Sequence, residues 1–196
     1  MNETSMKEAV SYDVIDMSEM KANDVVSTLA HEFSEGHLLH GSNYPNAIPI
    51  LEPRQAKDLS TNDGNRNAIY ATGDNERAAI FRALFNKEKL TKIAGEYLFG
   101  WTGKSDFKIQ ANTSTYDALL HNYDELFSDG YIYVFDRHSF EETEKRSEYF
   151  SESPQKPLKA YKVSSKIAKD LFKINTNDDN IVLYSQEELE TLRNTY

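Results

Sequence analysis

The chain of 196 residues contains no cysteine, which excludes disulfide bonds, a thiolate nucleophile and every zinc site that requires cysteine. Proline and glycine are scarce, at 5 and 8 residues, so the sequence is neither fibrous nor of low complexity. No stretch approaches the roughly 20 apolar residues that span a bilayer, and the acidic, polar start is unlike a signal peptide. We therefore expect a cytoplasmic protein without a membrane partner, unless separate machinery exports it.

Basic residues are outnumbered as well, with 22 Lys and Arg against 32 Asp and Glu and a formal net charge of −10. That balance argues against broad binding to nucleic-acid phosphates. The histidines do not form a metal-ligand pattern either, because His37 and His40 stand three apart on a predicted strand and so on opposite faces. We expect no metal. Aromatic residues, by contrast, are numerous, with 12 Tyr and 10 Phe beside 1 Trp.

The length suits one domain, and 39% hydrophobic residues are enough for a sizeable core. The polar residues 1–22 are predicted to form a flexible N-terminal arm, and residues 23–196 a single domain. Strands and helices do not alternate strictly, so the pattern predicts an α+β fold rather than a doubly wound sheet. Short apolar segments between turns predict strands at 37–40, 68–72, 131–135, 148–151 and 158–163.

General catalytic signatures are absent: the sequence has no Walker loop, no G-x-G-x-x-G, no G-x-S-x-G and no H-E-x-x-H. Three segments taken in order carry more information. They are Leu38-Leu39-His40-Gly41-Ser42, then Ala68-Ile69-Tyr70-Ala71-Thr72 with Phe81 eleven residues beyond Tyr70, and then Ser147-Glu148-Tyr149-Phe150-Ser151.

In this order the segments resemble the His–Tyr–Glu branch of the ADP-ribosyltransferase superfamily, which includes the catalytic domains of diphtheria toxin and the poly-ADP-ribose polymerases. The stretch from His40 through Leu51-Glu52-Pro53 to Tyr70, and the segment 130–134, are also similar to the small rifamycin-modifying ADP-ribosyltransferases. The similarity covers roughly residues 37–163. It implies short, mostly antiparallel strands in two packed sheets with flanking helices.

The resemblance implies NAD as a substrate and assigns its contacts residue by residue. The nicotinamide carboxamide would bond to the backbone of Gly41, where no side chain blocks its approach, and the Ser42 hydroxyl would lie near the amide. His40 would hold the ribose on the adenine side. Tyr70 and Phe81 would sandwich the nicotinamide ring through stacking and cation–π attraction.

Glu148 would be the catalytic carboxylate, acting with His40 and Tyr70. It would accept a hydrogen bond from a ribose hydroxyl and stabilise the oxocarbenium charge that develops as nicotinamide leaves, as carboxylates do in glycosidases. The implied function is an NAD-dependent mono-ADP-ribosyltransferase that needs no metal. Its acceptor is open: a protein, a nucleic-acid end or a small molecule such as an antibiotic.

Two departures from the family pattern leave alternatives. Ala78 stands where the polymerase branch has a serine that holds the carboxamide, and the rifamycin-modifying enzymes use an acid nearer to Glu142, which is the alternative to Glu148. Tyr70 and Phe81 also fit plain core positions, and Glu148 a solvated strand edge. The alternative function is a catalytically silent module that holds a nucleotide or a partner protein. RNA 2′-phosphotransfer, which shares the fold, relies on basic phosphate contacts that this acidic chain supplies poorly.

Overall fold

Strands of the chain pair into two sheets in the computed structural model, which describes residues 10–55, 66–95, 99–102, 108–143, 148–172, 181–184 and 188. The strands are β1 (Asp13–Asp16), β2 (His37–Ser42), β3 (Arg54–Gln55), β4 (Asn67–Thr72), β5 (Phe99–Thr102), β6 (Lys108–Asn112), β7 (Gly130–Asp136), β8 (Glu141–Glu142), β9 (Glu148–Ser151), β10 (Lys159–Val163) and β11 (Ile181–Tyr184). The helices are α1 (Ala22–Ser34), α2 (Glu76–Leu84), α3 (Lys87–Ala94), α4 (Thr113–His121), α5 (Tyr123–Leu126) and α6 (Ala168–Leu171).

The larger sheet has the strand order β1-β10-β7-β2-β4-β9-β8, with β3 paired to β4, and the smaller one has the order β11-β6-β5. Only the β1–β10 and β11–β6 pairs are parallel among the strands described. The predicted α+β fold is therefore confirmed in its coarse form, since helices and strands are both present and most strand pairs are antiparallel. Each of the predicted strands 37–40, 68–72, 131–135, 148–151 and 158–163 lies in the larger sheet.

Both faces of the larger sheet are covered by buried side chains. Along β7, Ile132 and Val134 face α1 and α2, whereas Tyr133 and Phe135 belong to a second cluster on the other face. The smaller sheet contributes Ile109 to the first of these clusters. The alternation of core residues along β7 explains why this strand is an almost continuous apolar run.

The start of the chain does not behave as predicted over the residues that the structure describes. Residues Asp13–Asp16 form β1, which pairs with β10, and Met17 is only 2% exposed in the core. The hydroxyl of Tyr12 donates a hydrogen bond to the carbonyl of Ile48 at 2.6 Å. The prediction of a flexible arm is therefore wrong for residues 12–17, and residues 1–9 lie outside the described part. No helix among the described residues is long and apolar enough to cross a membrane.

Helix α2 lies unusually close to the larger sheet, and two glycines make this possible. A Cβ atom built on Gly41 of β2 would come within 2.0 Å of the carbonyl oxygen of Ala79, and one built on Gly130 of β7 within 1.9 Å of that of Ala83. Any side chain at either position would push the helix away from the strands. At its start, the Asn75 side chain caps α2 by accepting a hydrogen bond from the backbone N–H of Ala78 at 2.9 Å.

Candidate functional site

Two adjacent strands in the middle of the larger sheet, β2 and β4, pair incompletely. β7 pairs with all six residues of β2, whereas β4 pairs with β2 only at Leu39↔Thr72 in the described part of the chain. No further backbone pairing of these two strands is described beyond that pair. We call this incompletely paired stretch, between His40–Ser42 of β2 and Tyr70 of β4, the seam.

His40 lies at the seam and bridges it. Its Nδ1 is 2.6 Å from the backbone carbonyl oxygen of Tyr70, and because a carbonyl only accepts, Nδ1 carries the proton. The other ring nitrogen, Nε2, is therefore an acceptor in the neutral ring. Burial lowers the pKa of His40 to about 4, helped by the positive charges of Arg82 and Arg54 and opposed by the bond to Tyr70. At neutral pH the ring is uncharged and held in one tautomer.

Tyr70 and Glu148 share the α2 face of the sheet. In the β4–β9 ladder Thr72 is opposite Glu148 and Tyr70 is opposite Phe150, so Tyr70 and Glu148 are diagonal neighbours, which places their Cβ atoms about 7 Å apart. Gly41 is on this face as well, since a Cβ atom built on it would point toward α2. His40 has the opposite parity in β2, and its ring lies 6.4 Å from that of Tyr133 on the other face. The His40 ring and the Tyr70 and Glu148 side chains therefore approach the seam from opposite faces.

Glu148 is held by a basic residue of α2. Its Oε1 accepts a hydrogen bond from Arg82 Nη2 at 2.7 Å, and the two side chains are 28% and 26% exposed. The backbone carbonyl of Glu148 is fixed in turn by Thr143, whose N–H and hydroxyl both donate to it at 2.9 Å. Because Arg82 also lowers the pKa of His40, its charge acts on both ends of the candidate site.

Tyr70 is anchored through its hydroxyl, which accepts a hydrogen bond from the backbone N–H of Arg66 at 3.2 Å. The Arg66 guanidinium lies 4.5 Å above the ring of Phe150 and forms an ion pair with Glu152 at 3.1 Å. Tyr70 itself is half-buried. It therefore has the partial exposure that contact with a ligand requires.

Two residues of α2 do not line the seam. Phe81 is 1% exposed, and its ring packs against Phe85, Phe127 and Phe172 at centroid distances of 4.8, 5.7 and 5.0 Å. The prediction that Phe81 forms one wall of a nicotinamide slot is therefore wrong for this structure, and its interpretation as a core aromatic is the one observed. Ala78, at the position of the family's serine, is buried as well.

Gly41 has a structural role that its sequence context did not reveal. The missing side chain leaves room for the backbone of α2, with the carbonyl of Ala79 filling the space. The predicted reason for this glycine, room for a carboxamide beside its Cα, is thus replaced by helix packing. Contact of a ligand with the Gly41 backbone stays a prediction, which the incomplete pairing of β2 with β4 permits.

The remaining predicted residues are separated from this face. Ser42 is half-buried opposite Tyr131, on the same face of β2 as His40. Glu142 is opposite Tyr149 in the β8–β9 pair, which puts it on the face away from Glu148. It accepts a hydrogen bond from the Tyr149 hydroxyl at 3.4 Å. Of the two candidate carboxylates, Glu148 is the one that shares a face with Tyr70.

Arg82 is the site residue that sequence reasoning missed. It lies three and four positions after Ala79 and Ala78, so it falls on the apolar, sheet-facing side of α2. A charge inside an apolar stripe is the signal that identifies it. Within the described ranges, no group of three or more His, Asp and Glu side chains could hold a metal ion.

Comparison with known proteins assigns no family to the chain. The chain matches no family model, no curated protein and no solved structure.

Proposed function

We propose that the seam is the active site of an NAD-dependent mono-ADP-ribosyltransferase, with His40, Tyr70 and Glu148 as its principal residues. The single observation that supports this most strongly is that the three segments of the resemblance form the adjacent strands β2, β4 and β9, in that order. Segments separated by up to about a hundred residues thereby place a histidine, a tyrosine and a carboxylate on adjacent strands, with the histidine ring on the face opposite the other two side chains.

Each residue has a role that its surroundings support. His40 offers Nε2 as a fixed acceptor for a ribose hydroxyl, since Nδ1 is occupied by the Tyr70 carbonyl and the ring stays neutral. Tyr70 presents a half-buried ring beside the seam, which suits stacking on a flat ligand ring. Glu148 places its carboxyl group on the same face as Tyr70. NAD supplies an ADP-ribosyl group whose bond to nicotinamide breaks with positive charge developing on the ribose, and a fixed carboxylate stabilises such charge.

The acceptor of the ADP-ribose is left open by this proposal. The strong negative net charge makes a long nucleic-acid surface an unsuitable acceptor, which leaves a protein side chain, a nucleic-acid end or a small molecule. Water alone would give NAD hydrolysis, so nicotinamide release can be measured without knowing the acceptor.

The test combines NAD binding by calorimetry with nicotinamide release by the wild-type protein and two carboxylate variants. Glu148→Gln should reduce release by a factor of about 100 or more, because it removes the charge that acts only as the ribose becomes cationic. Glu142→Gln is the matched control on the opposite face and should release nicotinamide at the wild-type rate. If the wild-type protein neither binds NAD nor releases nicotinamide at any NAD concentration tested, the proposal is refuted.

The burial of Phe81 favours one second candidate, a module that binds a nucleotide without turnover. With Phe81 and Ala78 both in the core, a nicotinamide ring would have Tyr70 as its only aromatic wall among the predicted residues. A silent module predicts that ADP-ribose binds as tightly as NAD and that no nicotinamide is released. The same calorimetric titrations, repeated with ADP-ribose, therefore distinguish the two candidates.

A further inference from the structure

The backbone of Arg82 is held in place more firmly than its surface position suggests. Its neighbours in sequence, Phe81 and Ala83, are 1% and 0% exposed, and the helix between them is pressed against Gly41 and Gly130. A Cβ on Gly41 would lie 2.9 Å from the Cβ of Arg82. Arg82 therefore starts directly above β2 and extends to β9.

The contact that Arg82 makes leaves half of the Glu148 carboxylate for another group. Within the described ranges, hydrogen bonding to the Glu148 side chain involves Oε1 alone, through Arg82 Nη2. A carboxylate has two oxygens with about four acceptor positions. Holding Oε1 fixes the rotamer of the side chain while Oε2 keeps its capacity to accept a ribose hydroxyl.

We infer that Arg82 is the positioning residue for Glu148: the guanidinium holds the carboxylate on the α2 face, oriented toward the seam. This inference rests on the proposed transferase function and deepens it. Arg82 acts through Glu148 and does not touch the substrate. Loss of Arg82 therefore lowers the rate of the chemical step and leaves NAD affinity almost unchanged.

The alternative is an ion pair that only joins α2 to β9. A pair with both side chains about a quarter exposed contributes little to stability. A merely structural pair would change the denaturation midpoint slightly and would leave both kcat and KM where they are. The two roles thus differ in a kinetic measurement and not only in stability.

The experiment measures kcat and KM for nicotinamide release, together with the Kd for NAD, in three variants of the full chain. Arg82→Gln should lower kcat by about 10–100-fold, the usual loss when a partner that orients a reactive group is removed. Its Kd for NAD should change by less than about threefold, as expected when ground-state binding is kept. Arg82→Lys should recover part of the rate, because an ammonium group still donates to a carboxylate but lacks the planar fork of a guanidinium.

Arg77→Gln is the matched control, since Arg77 is on the same helix and donates to the carbonyl of Leu171 instead of to the site. It should keep wild-type kcat and KM. A circular-dichroism spectrum and a thermal midpoint for each variant show that the fold is kept, and Arg82→Lys decides the question if Arg82→Gln does not fold.

The outcomes separate the inference from the function on which it rests. Wild-type turnover with an unchanged kcat in Arg82→Gln overturns the positioning role and leaves the transferase intact. A large rise in Kd for NAD with kcat unchanged also overturns it, since Arg82 would then bind the substrate. Absence of both NAD binding and turnover in the wild-type protein overturns the proposed function, and the inference with it.

Discussion

The buried carboxylate of Glu32 offers the sharpest test of how α1 is held on the sheet. Its Oε1 accepts hydrogen bonds from the Tyr161 hydroxyl at 2.5 Å and from Lys159 Nζ at 2.8 Å, and its Oε2 lies 2.8 Å from His37 Nδ1. The side chain is only 5% exposed. One helix is thereby joined to β2 and β10 through a single charged group.

Replacement of Glu32 by Gln keeps the size of the side chain and removes its charge. Breaking a buried ion pair in this way costs about 3–5 kcal/mol, because the remaining charge loses its partner. Lys159 is 31% exposed and can recover part of its hydration, so we expect a loss of about 2–4 kcal/mol in the free energy of unfolding. For a chain of this length, about 3 kcal/mol corresponds to a fall of roughly 6–12 °C in the thermal midpoint.

The same carboxylate makes the stability depend on pH. Burial raises the pKa of Glu32, but the hydrogen bonds from Lys159, Tyr161 and His37 lower it by more, so the net direction is below its ordinary value of 4.5. A lowered pKa means that the folded state releases the proton more readily than the unfolded state. The stabilisation is therefore fully present above about pH 4.5 and is lost as the pH falls through the lower, folded-state pKa.

The assay is urea denaturation followed by circular dichroism at pH 7 and at pH 3.5. Glu35→Gln, at an exposed position one turn further along the chain, is the control and should stay within about 0.5 kcal/mol of the wild-type value. The difference between wild type and Glu32→Gln should shrink at pH 3.5. Equal stability of the two Gln variants at pH 7 would refute the reasoning.

Three further predictions concern the sheet and α2. Gly41→Ala should destabilise the protein by about 3 kcal/mol or more in urea denaturation, because its Cβ meets the carbonyl of Ala79, whereas Ser42→Ala should cost less than about 1 kcal/mol; equal costs would contradict the packing argument. The pKa of His40 is lowered to about 4, so below pH 6.5 the unfolded state takes up a proton that the folded state does not; wild-type stability should therefore be flat above pH 6.5 and fall by up to about 1.4 kcal/mol per pH unit between pH 6.5 and 5. This slope should be smaller in His40→Asn, and an unchanged slope would exclude His40 as its source. Asn75→Ala should cost about 1 kcal/mol of unfolding free energy through loss of the α2 cap, and a neutral result would show that the cap is dispensable.

Strands β2, β4 and β9 could be predicted because each is a short apolar run bounded by turn or polar residues. β1 could not, since Asp13-Val14-Ile15-Asp16 has no alternation and all four residues are exposed. Its position in the sheet depends on backbone pairing with β10, which leaves no hydrophobic pattern in the sequence. Pairing at an edge is a property of the folded neighbours and cannot be inferred from a local segment.

The partners of the side chains on α2 could not be predicted from the sequence either. The helical spacing of Ala78, Phe81 and Leu84 shows an apolar face, but it does not say whether that face meets a ligand or other side chains. Besides Phe85 at the end of its own helix, Phe81 meets Phe127 and Phe172 from distant segments, and only the tertiary structure brings those two rings to it. The ion pair of Arg82 could not be predicted for the same reason, because its partner Glu148 is 66 residues away in the sequence.

Gly41 and the Arg82–Glu148 pair differ in what they imply about function. Gly41 is needed for the approach of α2 whether or not a ligand binds, so it no longer distinguishes a transferase from any other chain with this fold. The pair of Arg82 and Glu148 is different, because two charges brought together at the partly buried edge of a helix lose hydration that apolar side chains would not lose. Packing alone therefore gives no reason for the pair, whereas the proposed role of Glu148, as a carboxylate held on the same face as Tyr70, does. The function of the chain should be sought first at this pair.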